Sequence, residues 1–325
     1  GETHGTHVIS TIIGYNYYAP ADAAAGYPLP PIFVEGIAPE ATIIPVKVLT
    51  TYHFPCGTGP EGVTFGTDEM VAAGIYYATN LKLAGYTPMI ITMSLGGPEP
   101  TDTIEDAVDY AISNGVIVIA AAGNAGDEGM DWPGAYPQVI SAGAAGWGYE
   151  WYAPTASPPP RYRLWWLRDN TYGYRDIPEP TPASDVYITD FSGREKTGQQ
   201  LDVVAPGSWV RGPFPGVPGY SHLPWWSEGL GWLVGRNPGN FYYAGGTSMA
   251  TPHVTAVAAM MLEKDPTLTQ AQVETIMKST ALPISPGSMM IYDISPIPDW
   301  YTKTWGSDAT GAGLIQADAA VAAVP

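Results

Sequence analysis

Two kinds of hydrophobic period share this chain. In 67–85 the apolar positions recur at helical spacing, with Thr67 placed as N-cap, Asp68 and Glu69 in the first turn, and Gly85 as the stop. A second such stretch covers 101–114. Thr101 caps it, Ile104, Ala107, Val108 and Ile112 share one face, and Gly115 follows. Between and around these lie short unbroken apolar runs: ATIIPVKVL at 41–49, MIITMSL at 89–95, VIVIAAA at 116–122 and QVISAGA at 138–144. A strand covered on both faces reads in this way. The alternation predicts an α/β fold of three layers, αβα, around a mostly parallel sheet. In such sheets ligands bind outside the carboxyl ends of the strands.

Two stretches break the pattern. Residues 146–185 hold the prolines at 158–160 with Tyr162, Trp165 and Trp166; residues 212–239 hold Trp225, Trp226 and Trp232. Flexible linkers seldom carry so many aromatics, so both are expected to be ordered insertions in a single domain over 1–325. A carbohydrate or substrate platform is the other reading, and the lack of strand alternation speaks against an independent module.

Composition narrows the function classes. With 325 residues, 45% of them hydrophobic, the chain can bury one large core. Lys and Arg number 13 against 31 Asp and Glu, a net charge of −18, so no basic footprint exists for nucleic acid. No apolar run reaches the roughly 18 residues of a membrane span, and no signal peptide is visible. Cys56 is the only cysteine, which rules out an internal disulfide and reads as a loop residue. Abundant Gly, Pro, Tyr and Trp suit a secreted, extracellular protein.

Three short motifs carry chemistry. His4-Gly5-Thr6-His7-Val8 opens an apolar helix with Ile9, Ile12 and Ile13. Asn124 closes AAAGN at 120–124, at the end of the most apolar strand. Ser248 lies in GGTSMATPH at 245–253, at the start of a further helix, where Pro252 is expected in the first turn because amides there have no intrahelical partner. A serine at a helix start after two glycines exposes its hydroxyl and turns its own N–H outward, toward a developing oxyanion. A histidine can take and return the hydroxyl proton, and an asparagine amide can donate a second oxyanion hydrogen bond.

These segments, HGTHV at 4–8, SLGG at 94–97, AAAGN and GGTSMATPHV at 245–254, resemble the subtilisin-like (subtilase) family of serine proteases. GIAP at 36–39, DVVAPG at 202–207 and GAGLI at 311–315 agree with it. The resemblance implies a serine endopeptidase working through an acyl-enzyme, with protein or peptide substrates. It implies His4 as base, Ser248 as nucleophile and Asn124 as oxyanion donor. Ser94, Leu95 and Gly96 would form the edge that pairs with the substrate backbone. Ala122 and Gly123 would wall the pocket for the residue before the cleaved bond. Asp131 lies just before Trp132-Pro133-Gly134, at the position that resembles that pocket's floor, and would favour Arg or Lys there. An Asp131 turned to solvent or holding a cation is the other reading, and Asp127 and Glu128 are near enough to exchange places with it. His7 and His253 read as structural, and His53 and His222 as solvated loop residues.

Two departures stand out. The family order is Asp, His, Ser, yet only three residues precede His4, so the acidic member is expected upstream of residue 1. The chain's own N-terminal fragment or a propeptide is then a candidate partner. The loop at 14–35, with Asp22 its one internal acid, lacks the ligands for the calcium that many members bind there. Calcium stays a candidate ligand with no assignable site, although Glu150 and Asp169 could meet a cation; no other cofactor is required and no metal ligand is assigned. The reading from a different class is an inactive subtilase-fold scaffold kept for binding. An upstream Asp-Ser/Thr-Gly element after an apolar strand would decide for the enzyme.

Overall fold

The computed structural model describes residues 2–17, 32–53, 62–150, 182–213, 241–293 and 299–325. In chain order its elements are α1 (Glu2–Ile13), β1 (Gly14–Tyr17), β2 (Ile32–Glu35), β3 (Thr50–His53), β4 (Gly62–Phe65), α2 (Asp68–Leu83), β5 (Ile90–Met93), α3 (Asp102–Ser113), β6 (Ile117–Ala121), β7 (Ile140–Trp147), β8 (Val186–Ile188), β9 (Val203–Pro206), β10 (Val210–Pro213), β11 (Phe241–Ala244), α4 (Thr247–Lys264), α5 (Gln270–Thr280), β12 (Gly287–Asp293), β13 (Asp299–Trp305) and α6 (Ala317–Ala323).

The central sheet is mostly parallel. Strands β5, β6, β7 and β9 run side by side, with Ile90 opposite Ile117, Ile119 opposite Ile140 and Ala142 opposite Val203. Strand β7 outruns β6, and its far end takes β8 antiparallel, Ala145 opposite Ile188. The unbroken apolar run of β6 has a direct cause. Successive side chains point to opposite faces, and both faces are covered. Ile117 and Ile119 pack with Val254, Val257 and Met261 of α4, while Val118 and Ala120 pack with Ile75 of α2 and Ile104, Val108 and Ala111 of α3. The helix ends follow the predicted caps. The Thr67 hydroxyl accepts from the Met70 N–H and the Thr101 hydroxyl from the Ile104 N–H. Gly85 and Gly115 end the helices with φ of 109° and 74°, which an L side chain rarely adopts.

Helix α4 packs against β5, β6, β7 and β9. Its buried threonines survive there by bonding backward. Thr251 donates to the Thr247 carbonyl (2.8 Å) and Thr255 to the Thr251 carbonyl (2.9 Å). Pro252 is not in the first turn, as expected, but in the second. Its missing N–H would have bonded the carbonyl four residues back, that of Ser248.

The run at 41–49 is another correction. It has no strand partner among the described residues, and Pro45 removes one ladder donor. Val48 still packs on the α2–α3 side of the core. His53, expected in a loop, ends β3. The predicted insertions are described only at their ends. Gly146 and Trp147 belong to β7 and Gly212 to β10; the Gly148 N–H reaches the Asp185 carbonyl (2.8 Å). The prolines at 158–160, Tyr162, Trp165, Trp166, Trp225, Trp226 and Trp232, and Asp22, Cys56, Asp169 and His222 lie outside the described residues. The hairpin β12–β13 docks Ile291 and Trp305 on Val186 and Ile188, and Lys303 pairs with Asp190 beyond β8. No helix of the described residues is long and apolar enough to cross a membrane.

One buried charge ties the sheet to α5. The Asp202 carboxylate is fully buried. It accepts from the Ser141 N–H (2.9 Å) and hydroxyl (3.1 Å), from Gln200 (2.6 Å) and from the Lys278 ammonium (2.9 Å). Lys278 also meets Glu274 at 3.1 Å. Burial alone would lower the Lys278 pKa, but bonds and charge from Asp202, then Glu274, hold it above its usual value. Removing one partner of a buried pair costs about 3–5 kcal/mol. Because the Lys278 side chain is 34% exposed, Lys278→Met is expected to cost about 2 kcal/mol in urea unfolding at pH 7. The contribution of a raised lysine is present below its ordinary 10.5 and is lost as pH rises through its folded value. A loss under about 0.5 kcal/mol would show that Ser141 and Gln200 satisfy Asp202 without the ammonium.

Candidate active site

The carboxyl edge of the sheet gathers the chemistry-bearing residues. Ser248 is the second residue of α4, so its N–H is one of the four at a helix start without a helical acceptor. Its hydroxyl donates to the Ser94 carbonyl at 3.3 Å, and the Ser94 hydroxyl donates back to the Ser248 carbonyl at 2.8 Å. That carbonyl is the one Pro252 leaves without a helical donor. Ser94 comes directly after β5, so a side chain from the sheet edge fills the vacancy a proline makes in the helix.

Asn124 lies three residues beyond β6, exposed. Its Oδ1 accepts from the Thr247 N–H (2.8 Å) and the Thr247 hydroxyl (3.1 Å). Two donors on one oxygen fix which end of the amide is which, so the NH2 end is left to donate elsewhere. The Thr247 hydroxyl also accepts from the Gly123 N–H at 3.2 Å. Sequence reasoning passed over Thr247; the available signal was a polar residue at the buried start of an apolar helix.

His4 sits in the first turn of α1, which lies across the start of α4. Val8, one turn on, packs with Met249, and Ile12 with Ala256. Burial holds the His4 imidazole below its usual 6.5. No carboxylate among the described residues bonds its ring. His7 is fully buried, its Nε2 3.1 Å from the Val210 carbonyl. His253 sets Nδ1 2.8 Å from the Met249 carbonyl, and burial pushes its pKa down to about 4.

Asp131 is wedged between two strand ends. Its N–H donates to the Ala122 carbonyl (2.9 Å), and next to it Trp132 and Gly97 exchange a pair of bonds (2.8 and 2.9 Å). The Trp132–Pro133 peptide is cis. A Cβ on Gly123 (φ 93°) would lie 2.6 Å from the Asp131 carboxyl, and one on Gly96 2.7 Å from its Cβ. Both glycines are therefore required for the side chain to lie where it does. Burial raises the Asp131 pKa, and the Asn124 backbone N–H pulls the other way. Ala122 is fully buried among Met130, Ala135 and Leu201, supporting Gly123 from beneath. Leu95 leans on the α2–α3 core, leaving Gly96 exposed. Asp127 and Glu128 are exposed in the turn at 126–128.

The arrangement offers a hydroxyl at a helix start, a directed amide and an imidazole on a neighbouring helix. The subtilase family model matches residues 1–314. The chain belongs to the subtilase family. This subtilase is 30% identical to subtilisin E of Bacillus subtilis (strain 168) over 285 residues, 86% of the chain. It spans 51% of that relative, about half the length of the first curated relatives it matches. It is 28% identical to fervidolysin of Fervidobacterium pennivorans over 99% of the chain and 34% of that protein. Among solved structures, sphericase superposes with a TM-score of 0.58 at 25% identity, covering 97% of this subtilase and 77% of the other chain. Fervidolysin superposes with a TM-score of 0.55 at 28% identity, covering 90% and 34%.

Among the described residues of the subtilase, no group of three or more His, Cys, Asp or Glu is placed to hold a metal ion. Glu150, one of the acids considered for a cation, is buried instead. Its carboxylate accepts from the Trp147 N–H (2.8 Å) and the Ser208 hydroxyl (2.9 Å).

The Ser94 bond has a measurable value. Ser94→Ala leaves the Ser248 carbonyl without a protein donor and is expected to cost about 1 kcal/mol in urea unfolding. In a Pro252→Ala background the helix regains an N–H at 252, and the same substitution should cost less than half as much. Equal costs in both backgrounds would mean that Ser94 does not stand in for the missing helical bond.

Proposed function

We propose that this subtilase is a secreted serine endopeptidase in which Ser248 is the nucleophile, His4 the general base and Asn124 an oxyanion donor. The single observation that carries the reading is the Thr247 junction, which aims the Asn124 amide beside the first turn of α4 that bears Ser248. The Ser248 oxygen attacks the carbonyl carbon of the scissile peptide while His4 takes the hydroxyl proton. The former carbonyl oxygen becomes an oxyanion, met by the Ser248 N–H and the Asn124 NH2. His4 gives the proton to the leaving nitrogen as the C–N bond breaks, leaving an acyl ester on Ser248. Water, deprotonated by His4, hydrolyses the ester and restores the hydroxyl. The groups this chain contributes to the reaction are side chains and backbone. The edge at Ser94, Leu95 and Gly96 pairs with the substrate backbone. Residues 1–325 belong to one peptidase domain, and substrates are proteins or peptides. The low charge content and acidic balance support an extracellular setting.

A fluorophosphonate probe applied to the full-length protein should label Ser248. Ser248→Ala should abolish both labelling and peptide hydrolysis while leaving the thermal unfolding midpoint within about 2 °C, since a methyl fits where the hydroxyl sat. Labelling at another residue, or hydrolysis by the variant, would overturn the assignment.

The finer reading concerns the residue before the cleaved bond, where Asp131 favours Arg or Lys. Support comes from its half-buried carboxyl against Gly123 and Gly96, where a cationic partner gains more than in water. Peptides differing only at that residue should be cleaved with a higher kcat/KM for Arg than for Phe, by about tenfold or more. Asp131→Ser should remove the preference. The ratio should also fall as pH drops through the Asp131 pKa, which lies above its usual 3.8, because protonation removes the charge. A wild type that prefers Phe, or a ratio indifferent to Asp131→Ser, would reject this pocket assignment.

A further inference from the structure

Behind Asn124, the loop that follows it is zipped to the segment leaving β8. The Gly193 N–H donates to the Gly123 carbonyl (2.9 Å), the Gly126 N–H to the Phe191 carbonyl (2.9 Å) and the Arg194 N–H to the Gly126 carbonyl (3.0 Å). The seam is too tight for side chains. A Cβ on Gly193 would lie 2.4 Å from the Ala122 carbonyl oxygen, and one on Gly126 2.6 Å from the Asp190 carbonyl oxygen.

Arg194 fastens this seam. Its side chain is only 4% exposed. Nη2 donates to the Thr189 carbonyl at 3.3 Å, at the start of the segment, and Nε lies 3.7 Å from the Asp127 carboxylate, on the loop after Asn124. Nη1 is buried with no hydrogen-bond partner among the described residues. Stability alone does not account for such a group. Burying a guanidinium with an unpaired nitrogen is unfavourable, and a long contact to Asp127, itself 96% exposed, returns little. What the arginine does accomplish is geometric. Together with its own N–H it reaches Thr189, Gly126 and Asp127, fixing the backbone that follows Asn124. Thr247 grips the same asparagine from the α4 side.

We propose that Arg194 is a positioning residue that holds Asn124 in register for the oxyanion, the second half of a clamp whose first half is Thr247. This rests on the reading of Asn124 as oxyanion donor. Arg194 touches neither substrate nor reacting atoms; its effect runs through the loop at 123–127. The transition state therefore loses by its removal, while the substrate ground state does not.

The test is a double-mutant cycle on the full-length protein with a chromogenic peptide: wild type, Arg194→Lys, Arg194→Ala, Asn124→Ala and the Asn124→Ala/Arg194→Ala pair. Arg194→Ala is expected to lower kcat about tenfold with KM within about twofold, less than the 100- to 1,000-fold measured for losing an oxyanion donor outright in a subtilisin. In the Asn124→Ala background, Arg194→Ala should change kcat by less than about twofold, because there is no amide left to position. Added guanidinium ion should recover part of kcat in Arg194→Ala and none in the pair. Should Arg194→Ala unfold at the assay temperature, the same cycle is read with Arg194→Lys. A rise in KM at constant kcat, or losses that multiply in the pair, would overturn the proposal. A wild type that neither cleaves peptide nor takes a fluorophosphonate at Ser248 would overturn the peptidase reading instead.

Discussion

The contact on which the site depends is the one between Thr247 and Asn124. It joins the start of α4 to the end of the most buried strand with two bonds to a single oxygen, and a third bond returns from Gly123 to the same hydroxyl. A helix and a strand packed face to face can still slide by a fraction of a residue. Three short polar bonds at their shared end remove that freedom, because Thr247 is fully buried and has no water to exchange with. The start of α4 and the orientation of the Asn124 amide are therefore fixed to each other by one residue, Thr247.

The same end of α4 shows how an apparent defect is absorbed. Pro252 costs the helix one hydrogen bond and leaves the Ser248 carbonyl available. Ser94 takes that bond, so the segment after β5 is held to the helix that bears Ser248. Elsewhere two of the described cations serve internal contacts. Lys278 answers the buried Asp202, and Arg194 spans a seam of backbone.

Much of this was legible in the sequence, and the reasons are local. Thr67 and Thr101 cap their helices as their spacing to apolar positions required, and Gly85 and Gly115 end them. The runs in β5, β6 and β7 read as covered strands because both of their faces are apolar. Asn124 and Ser248 stand out in the sequence because each lies where a periodic segment ends or begins. The misses involve partners far away in sequence. Nothing near 41–49 shows that its apolar residues would pack without a ladder, and Pro252 could be placed in the wrong turn because the helix start is set by Thr247's bond to Asn124. Arg194 and Thr247 looked ordinary because their meaning lies in residues about 70 and 120 positions away. The strands β12 and β13 carry mixed alternation, since one face rests on β8 and the other meets solvent at Met290 and Trp300.

The small antiparallel pairs have a consequence for how such a chain can diversify. Tyr17 faces Ile32, His53 faces Gly62, Pro213 faces Phe241 and Asp293 faces Asp299 across paired strands, and Trp147 faces Val186 at the far end of β7. Each pair brings the two ends of an intervening sequence to neighbouring-strand distance, about 5 Å. The paired strands thus fix the two ends of each of these stretches. Doubling the length of a closed loop costs only about 0.6 kcal/mol. Segments of different size and composition can therefore be joined to these strand ends, by evolution or by grafting, while the sheet, α4 and the residues at its first turn keep their places.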